Sequence, residues 1–291
     1  MFHPFQAPAK PFIIGLAPVN ADAFILLDEE RQEFRTQKEA LYRDQATDVS
    51  RARADTVPAQ REAALLLEHT LLRQFPTLFE RKDNLFIDRE NGAKTSNAAS
   101  SASPLDDVAL HLQDDLLLMR KHEDGWRLVA ASLCFPSSWN LHEKFDKPLE
   151  AIHGPVPMEN KMHQRIRRIF DAMRPGEPLW RENWGISNDG GLRHARAENE
   201  VLDSAEDLSK PLHLRVEYQT LHKLPESGDI LFTVGVRMKS FQDLAASDHG
   251  RGGLRIVLDH YRAMPEAQRV YKGLAHNPKA LIHSFDTALE R

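Results

Sequence analysis

The sequence predicts an α+β fold built on an antiparallel sheet. Two observations carry that expectation: two pairs of apolar or alternating runs, each pair joined by a short polar turn, and helical stretches segregated before and after them. A third is size. At 291 residues the chain stands near the length at which a single core stops growing, about 250 residues, so one domain with extensions, spanning 1–291, is expected.

Residues 1–20 read as an extended arm packed across the surface, because Pro4, Pro8 and Pro11 break any helix. From 21 to 45, Phe24, Leu27, Phe34 and Leu41 stand among charges, the pattern of a short strand or turn leading into an amphipathic helix. The clearest helix runs from Pro58 to Phe75, where Ala63, Leu66, Leu67, Thr70 and Leu71 recur at three- and four-residue spacing before Pro76 stops it. The stretch Asn91 to Pro104 (NGAKTSNAASSASP) holds nothing apolar of size and reads as a flexible surface loop inserted into the domain.

LHLQDDLLLM and WRLVAASLCF flank the polar turn RKHEDG, which predicts a β-hairpin with Asp124-Gly125 at its tip. Residues 135–157 are irregular and proline-rich, and Met158 to Met173 then reads as a basic amphipathic helix, a candidate lid, closed by Pro175-Gly176. LHLRVEYQT (212–220) alternates cleanly, and ILFTVGVRM (230–238) follows a turn containing Pro225 and Gly228, which makes a second hairpin. Helices from Gly253 to Met264 and from Pro278 to Leu289 complete the tail.

Composition narrows the function classes. Net charge is -5 with the basic residues scattered, so there is no electrostatic footprint for nucleic acid. No run approaches the ~18 apolar residues of a membrane span, and the N-terminus has no apolar signal core, which points to the cytoplasm. A single cysteine, Cys134, excludes an internal disulfide and a multi-cysteine zinc or iron–sulfur site. There is no GxGxxG, GxxxxGK[ST], GxSxG or HExxH motif, so neither a nucleotide seat nor a standard hydrolase centre is visible.

Two constellations remain. In CFPSSWNLHEKFDKPLEAIHGPVP (134–157), His153 follows Ile152 and precedes Gly154-Pro155, so the backbone around its imidazole is stiff. A stiff, half-buried histidine suits a metal ligand, and the same pattern suits a core histidine bonded to backbone. His142 among polar neighbours and His163 on the basic helix read as solvated. Cys134, on an apolar strand end with no nearby cation, reads as a small core hydrophobe before a thiolate ligand.

The second constellation is the polar face of 212–220, with Arg215, Glu217 and Gln219 in a row. It faces either solvent or a pocket. If a pocket, Glu217 holds a substrate ammonium, Gln219 orients a ligand, and Arg215 or Arg237 pairs carboxylates; Arg237 shares a strand face with Thr233.

The ordered set LHLQDDLLLM, CFPSSW, EKFDKPLEAIHGPVP, RENWGIS (181–187) and RVEYQTLHKLPESGDILFTV is similar to the haem-dependent oxidative N-demethylases, and the similarity extends over PFIIGLAPV and REAALLLEHTLLRQFP. The resemblance implies a PAS-like fold enclosing a haem b pocket, with histidine on the iron and molecular oxygen activated on the open side. It implies a monooxygenase subunit that oxidises a secondary methylamine such as dimethylamine to a primary amine and formaldehyde. It implies, too, electrons from NADPH through FMN- and iron–sulfur-bearing reductase subunits. By position, His153 in IHGPVP carries over as the iron ligand, and Glu217 and Gln219 in RVEYQT carry over as pocket residues. This chain departs from the family at Tyr218, where an arginine stands between Glu and Gln, and alternation puts that position on the other strand face. A PAS-like haem sensor or ligand-binding module without turnover is the alternative from another class, and a cofactor-free structural subunit is a third.

Overall fold

A computed structural model describes residues 5, 8–137, 139–152, 160–194, 210–275 and 277–290. Its strands are β1 (Ala17–Pro18), β2 (Ser50–Ala52), β3 (Phe79–Lys82), β4 (Leu85–Asp88), β5 (Lys94–Ser96), β6 (Asp114–His122), β7 (Gly125–Ser132), β8 (Leu179–Ser187), β9 (His213–Lys223) and β10 (Ile230–Ser240). The longer helices are α1 (Arg31–Asp44), α3 (Val57–Gln74), α7 (Asn160–Ala172), α9 (Asp248–Ala263) and α11 (Pro278–Leu289). Short helices fill the connections: α2 (Ala46–Val49), α4 (Pro104–Ala109), α5 (Leu141–Lys144), α6 (Leu149–Ile152), α8 (Phe241–Ala245) and α10 (Glu266–Tyr271). None of the described helices is long and apolar enough to cross a membrane.

Both expected hairpins form, and they join edge to edge. The main sheet runs β1-β8-β9-β10-β6-β7-β2, with every pairing antiparallel, so the α+β expectation holds. At the β6–β7 tip His122 pairs with Gly125, whose φ of 133° is open to glycine and strained for other residues.

Alternation gives this sheet two faces. One carries Leu116, Leu118, Leu231, Leu214 and Val216 and is sealed: α3 and α4 cover the β6–β10 half, while α8, α9 and α11 cover the β8–β9 half. Pro58 lies in the first turn of α3, where its missing N–H costs nothing, and Ala59, Ala63, Ala64, Leu67 and Leu71 bury the helix against the sheet. The other face carries Leu117, Met119, Leu221 and Ile230, which pack under Leu141 of α5, Leu149 of α6, and Phe170 and Met173 at the end of α7. Among the described residues, cover on this second face is incomplete. Phe232 and Val234, in the central strand β10, are only half-buried, whereas Leu231 and Thr233 on the reverse side are 0% and 1% exposed.

One sequence expectation is overturned. The stretch from Asn91 to Pro104 is not a flexible loop, since β5 within it closes a second sheet, β3-β4-β5, and Asn97, Ala98 and Ser101 are buried. Small side chains let the backbone approach α3 closely, where Glu68 accepts the Ala98 N–H at 2.6 Å. Composition signalled mobility, and the packing uses the same small residues as a close contact. The N-terminal arm packs across the domain as expected: β1 pairs with β8, and Trp184 Nε1 donates to Ala9 O at 2.9 Å.

Candidate functional site

The half-open face is where chemistry-bearing side chains converge. The β8–β9 register places Arg181 opposite Gln219, Asn183 opposite Glu217, and Gly185 opposite Arg215. Opposed residues in an antiparallel pair share a face, so six positions form one polar panel beside Phe232 and Val234. The solvent alternative for 212–220 is thereby settled: Arg215 is 2% exposed and Glu217 8%, with Gln219 half-buried. At Gly185 an added Cβ would meet nothing within 4 Å, so the face is open there.

Glu217 is the hub. Its Oε2 accepts from Asn183 Nδ2 at 3.2 Å and from Gln219 Nε2 at 3.0 Å. Its Oε1 lies 3.5 Å from Arg215 Nε, an ion pair without a hydrogen bond, so this oxygen keeps its acceptor capacity. Arg215 is committed to the protein, donating to Leu192 O at 2.7 Å and to Phe135 O at 2.6 Å, which pins two loops to the panel. Lys272, which follows α10, reaches the same group from the sheet edge, donating to Asn183 Oδ1 at 3.4 Å and to the Trp184 carbonyl. Burial pushes the Lys272 ammonium down to about 8, with Glu217 opposing the shift and Arg181 adding to it. Burial also lowers Arg181, against the pull of Glu217.

Beneath the panel, Asp115 accepts the N–H groups of Cys134 and Phe135 at 2.8 Å each. Burial raises its carboxyl to about 6, with Lys38 opposing. The Cys134 thiol is pushed up to about 12 by burial and then by Asp115; it is a protonated core group, in keeping with its place on an apolar strand end.

The structure brings Arg215, Glu217 and Gln219 together and sets Arg237 apart. Arg237 pairs in register with Val216 and therefore points to the sealed face, where it binds Asp28 Oδ2 at 2.5 Å and Leu26 O at 3.0 Å. Its grouping with Glu217 is corrected by strand parity. His153 lies outside the described residues. His142 is exposed and 2.8 Å from Asp48, whereas His163 on α7 is half-buried. Among the described residues no group of three or more His, Cys, Asp or Glu is arranged to hold a metal.

Sequence reasoning missed three residues of the panel. Arg181 and Asn183 were legible as alternate positions of RENWGIS, opposite Glu182 and Trp184; Lys272 carried no local signal. Two buried histidines, His111 and His222, were also missed. Burial pushes each down to about 3, which makes them neutral core groups on the sealed side.

A family model covers residues 15–282, that is, every strand of both sheets and the chain as far as the start of α11. The chain belongs to the haem-dependent oxidative N-demethylase, alpha subunit-like family. The name of this family denotes an oxidoreductase that depends on haem and removes an N-methyl group. All motifs on which the sequence resemblance rests lie within the matched span, except the first residues of PFIIGLAPV.

Proposed function

We propose that this chain is the catalytic subunit of a haem-dependent oxidative N-demethylase, a single PAS-like domain that holds haem b against the half-open sheet face. The observation that carries the reading is the half-buried Phe232 and Val234 in a central strand, beside a buried polar panel. A flat apolar group with polar edges fits that surface: the apolar pair takes the plane, the open space at Gly185 admits an edge, and cations lie at the rim. The donor chemistry of His153 suits the iron, as the IHGPVP motif implies.

The substrate is a secondary methylamine, of which dimethylamine is the simplest. Bound haem supplies activation of dioxygen, with two electrons from NADPH by way of FMN and iron–sulfur centres on partner reductase subunits. The chain's own residues do the rest. Oε1 of Glu217 receives the substrate ammonium, Asn183 and Gln219 hold the carboxylate in place, and Arg215 locks the strand to the 135 and 192 loops. Glu217 and Arg215 are buried, which strengthens their contacts. A sensor without turnover has no use for a buried carboxylate with a free acceptor oxygen, and that favours the enzyme reading.

Absorption spectra of haem-reconstituted protein test this. A Soret band that shifts on adding dimethylamine is expected, and Glu217→Gln should keep the band while weakening the shift at least about tenfold. Absence of a Soret band after reconstitution contradicts the proposal.

A further inference from the structure

The panel is out of charge balance. Three cations, Arg181, Arg215 and Lys272, surround one carboxylate, Glu217. Arg215 donates to two carbonyls and pairs with Glu217, although its Nε makes no hydrogen bond, and Lys272 donates to Asn183 and the Trp184 carbonyl. Arg181 makes no hydrogen bond among the described residues: its Nε is buried without a partner, the residue as a whole is half-buried, and Glu217 acts on it only across space. A partly desolvated guanidinium that makes no hydrogen bond to an anion keeps donors that a ligand can take.

Its position says what completes it. Arg181 is two residues along β8 from Asn183, roughly 7 Å at strand spacing, and Asn183 is the residue that contacts Glu217. A cation and an anion receptor thus stand side by side on one open face. The planar fork of a guanidinium matches a carboxylate better than any other small anion save phosphate, and the neighbouring Glu217 repels a dianion more than a monoanion.

We infer that Arg181, with Lys272 beside it, is a carboxylate-binding subsite adjoining Glu217, and that the site takes a ligand whose carboxylate lies close to an amine or to the haem rim. This deepens the N-demethylase reading and rests on it for the identity of the amine. The shared chemistry is a carboxylate; its source is an N-methyl amino acid substrate or a propionate arm of the cofactor. Burial depresses the Lys272 ammonium and Arg181 adds to it, and a carboxylate between the two cations relieves that repulsion.

Calorimetric titration of the full chain with N-methylglycine and with dimethylamine tests the substrate source. Uptake of haem against haem dimethyl ester tests the cofactor source, and each titration is run on wild type, Arg181→Met and Arg181→Lys. N-methylglycine is expected to bind at least about tenfold more tightly than dimethylamine, with the preference erased in Arg181→Met and reduced in Arg181→Lys. Discrimination against the dimethyl ester that depends on Arg181 assigns the carboxylate to the cofactor instead and equally supports the subsite. The ligand-free Arg181→Met protein should melt higher than wild type, because a half-buried cation beside Lys272 is gone; a merely structural arginine would give a lower melting point. Equal binding of both amines together with equal uptake of both haems in every variant overturns the subsite. A Soret band with neither haem uptake nor N-methylglycine binding dependent on Arg181 sinks this inference and keeps the haem reading, whereas Arg181-dependent N-methylglycine binding without a Soret band keeps the subsite and sinks that reading.

Discussion

The two faces of one sheet have been put to opposite uses. On the sealed face, helices cover strands whose inward residues are 0–1% exposed around Leu231 and Thr233, and even the charged Arg237 is locked to Asp28 and Leu26. On the half-open face, the same strand β10 leaves Phe232 and Val234 partly uncovered, and β8 and β9 line up charged and amide groups whose pairing is incomplete. The difference teaches where stability and function reside, because a site must hold groups unsatisfied that a core would pair or exclude.

The largest expected effect comes from the joint between the faces and the loops. Arg215→Ala should cost about 3–5 kcal/mol, since it removes two charge-assisted hydrogen bonds to the Leu192 and Phe135 carbonyls and a buried ion pair with Glu217; urea unfolding of the haem-free protein measures it, and a loss under about 1 kcal/mol would make these contacts incidental. Next is Leu231→Ala on the sealed face, expected to cost about 2–5 kcal/mol by the same measurement.

A pH dependence sharpens the contrast. Glu182 lies on the sealed face under the N-terminal arm, and burial raises its carboxyl to about 8. Because its folded pKa exceeds the unfolded one, its contribution is fully present below about pH 4.5 and is lost as pH rises towards 8. Between those two values each pH step of one costs at most about 1.4 kcal/mol. Glu182→Gln should therefore match wild type near pH 4.5 and become the more stable protein as pH approaches 8.5. Parallel stability curves for the two proteins would place this carboxyl in water.

The smallest effect should be at Phe232. Phe232→Ala is expected to cost only about 1 kcal/mol in haem-free protein, as for a half-exposed position, while weakening haem uptake. A cost equal to that of Leu231→Ala would mean that both faces are core and would erase the comparison.

What was legible in the sequence was local. The 57–74 helix, both hairpins and the row Arg215, Glu217, Gln219 follow from spacing and alternation that no tertiary contact needed to supply. What was not legible depended on partners distant in sequence. Arg237 shares its strand with half-open-face residues, but whether odd or even positions face the opening is fixed by the pairing with Val216 and by the Leu26 carbonyl. Lys272 comes to Asn183 from 89 residues away. Small residues at 91–104 looked like disorder because their value lies in what approaches them, Glu68 of α3. His153 gives the converse case, a motif that the sequence singles out and the described residues do not include.

The central claim is that the half-open face holds haem, and a haem titration of wild type against Val234→Trp tests it most directly. Wild type should saturate with a Soret band at a single haem per chain, and the variant, with indole filling the face and an unchanged circular dichroism spectrum, should not. Equal binding by a folded Val234→Trp protein would place the haem elsewhere and contradict the account.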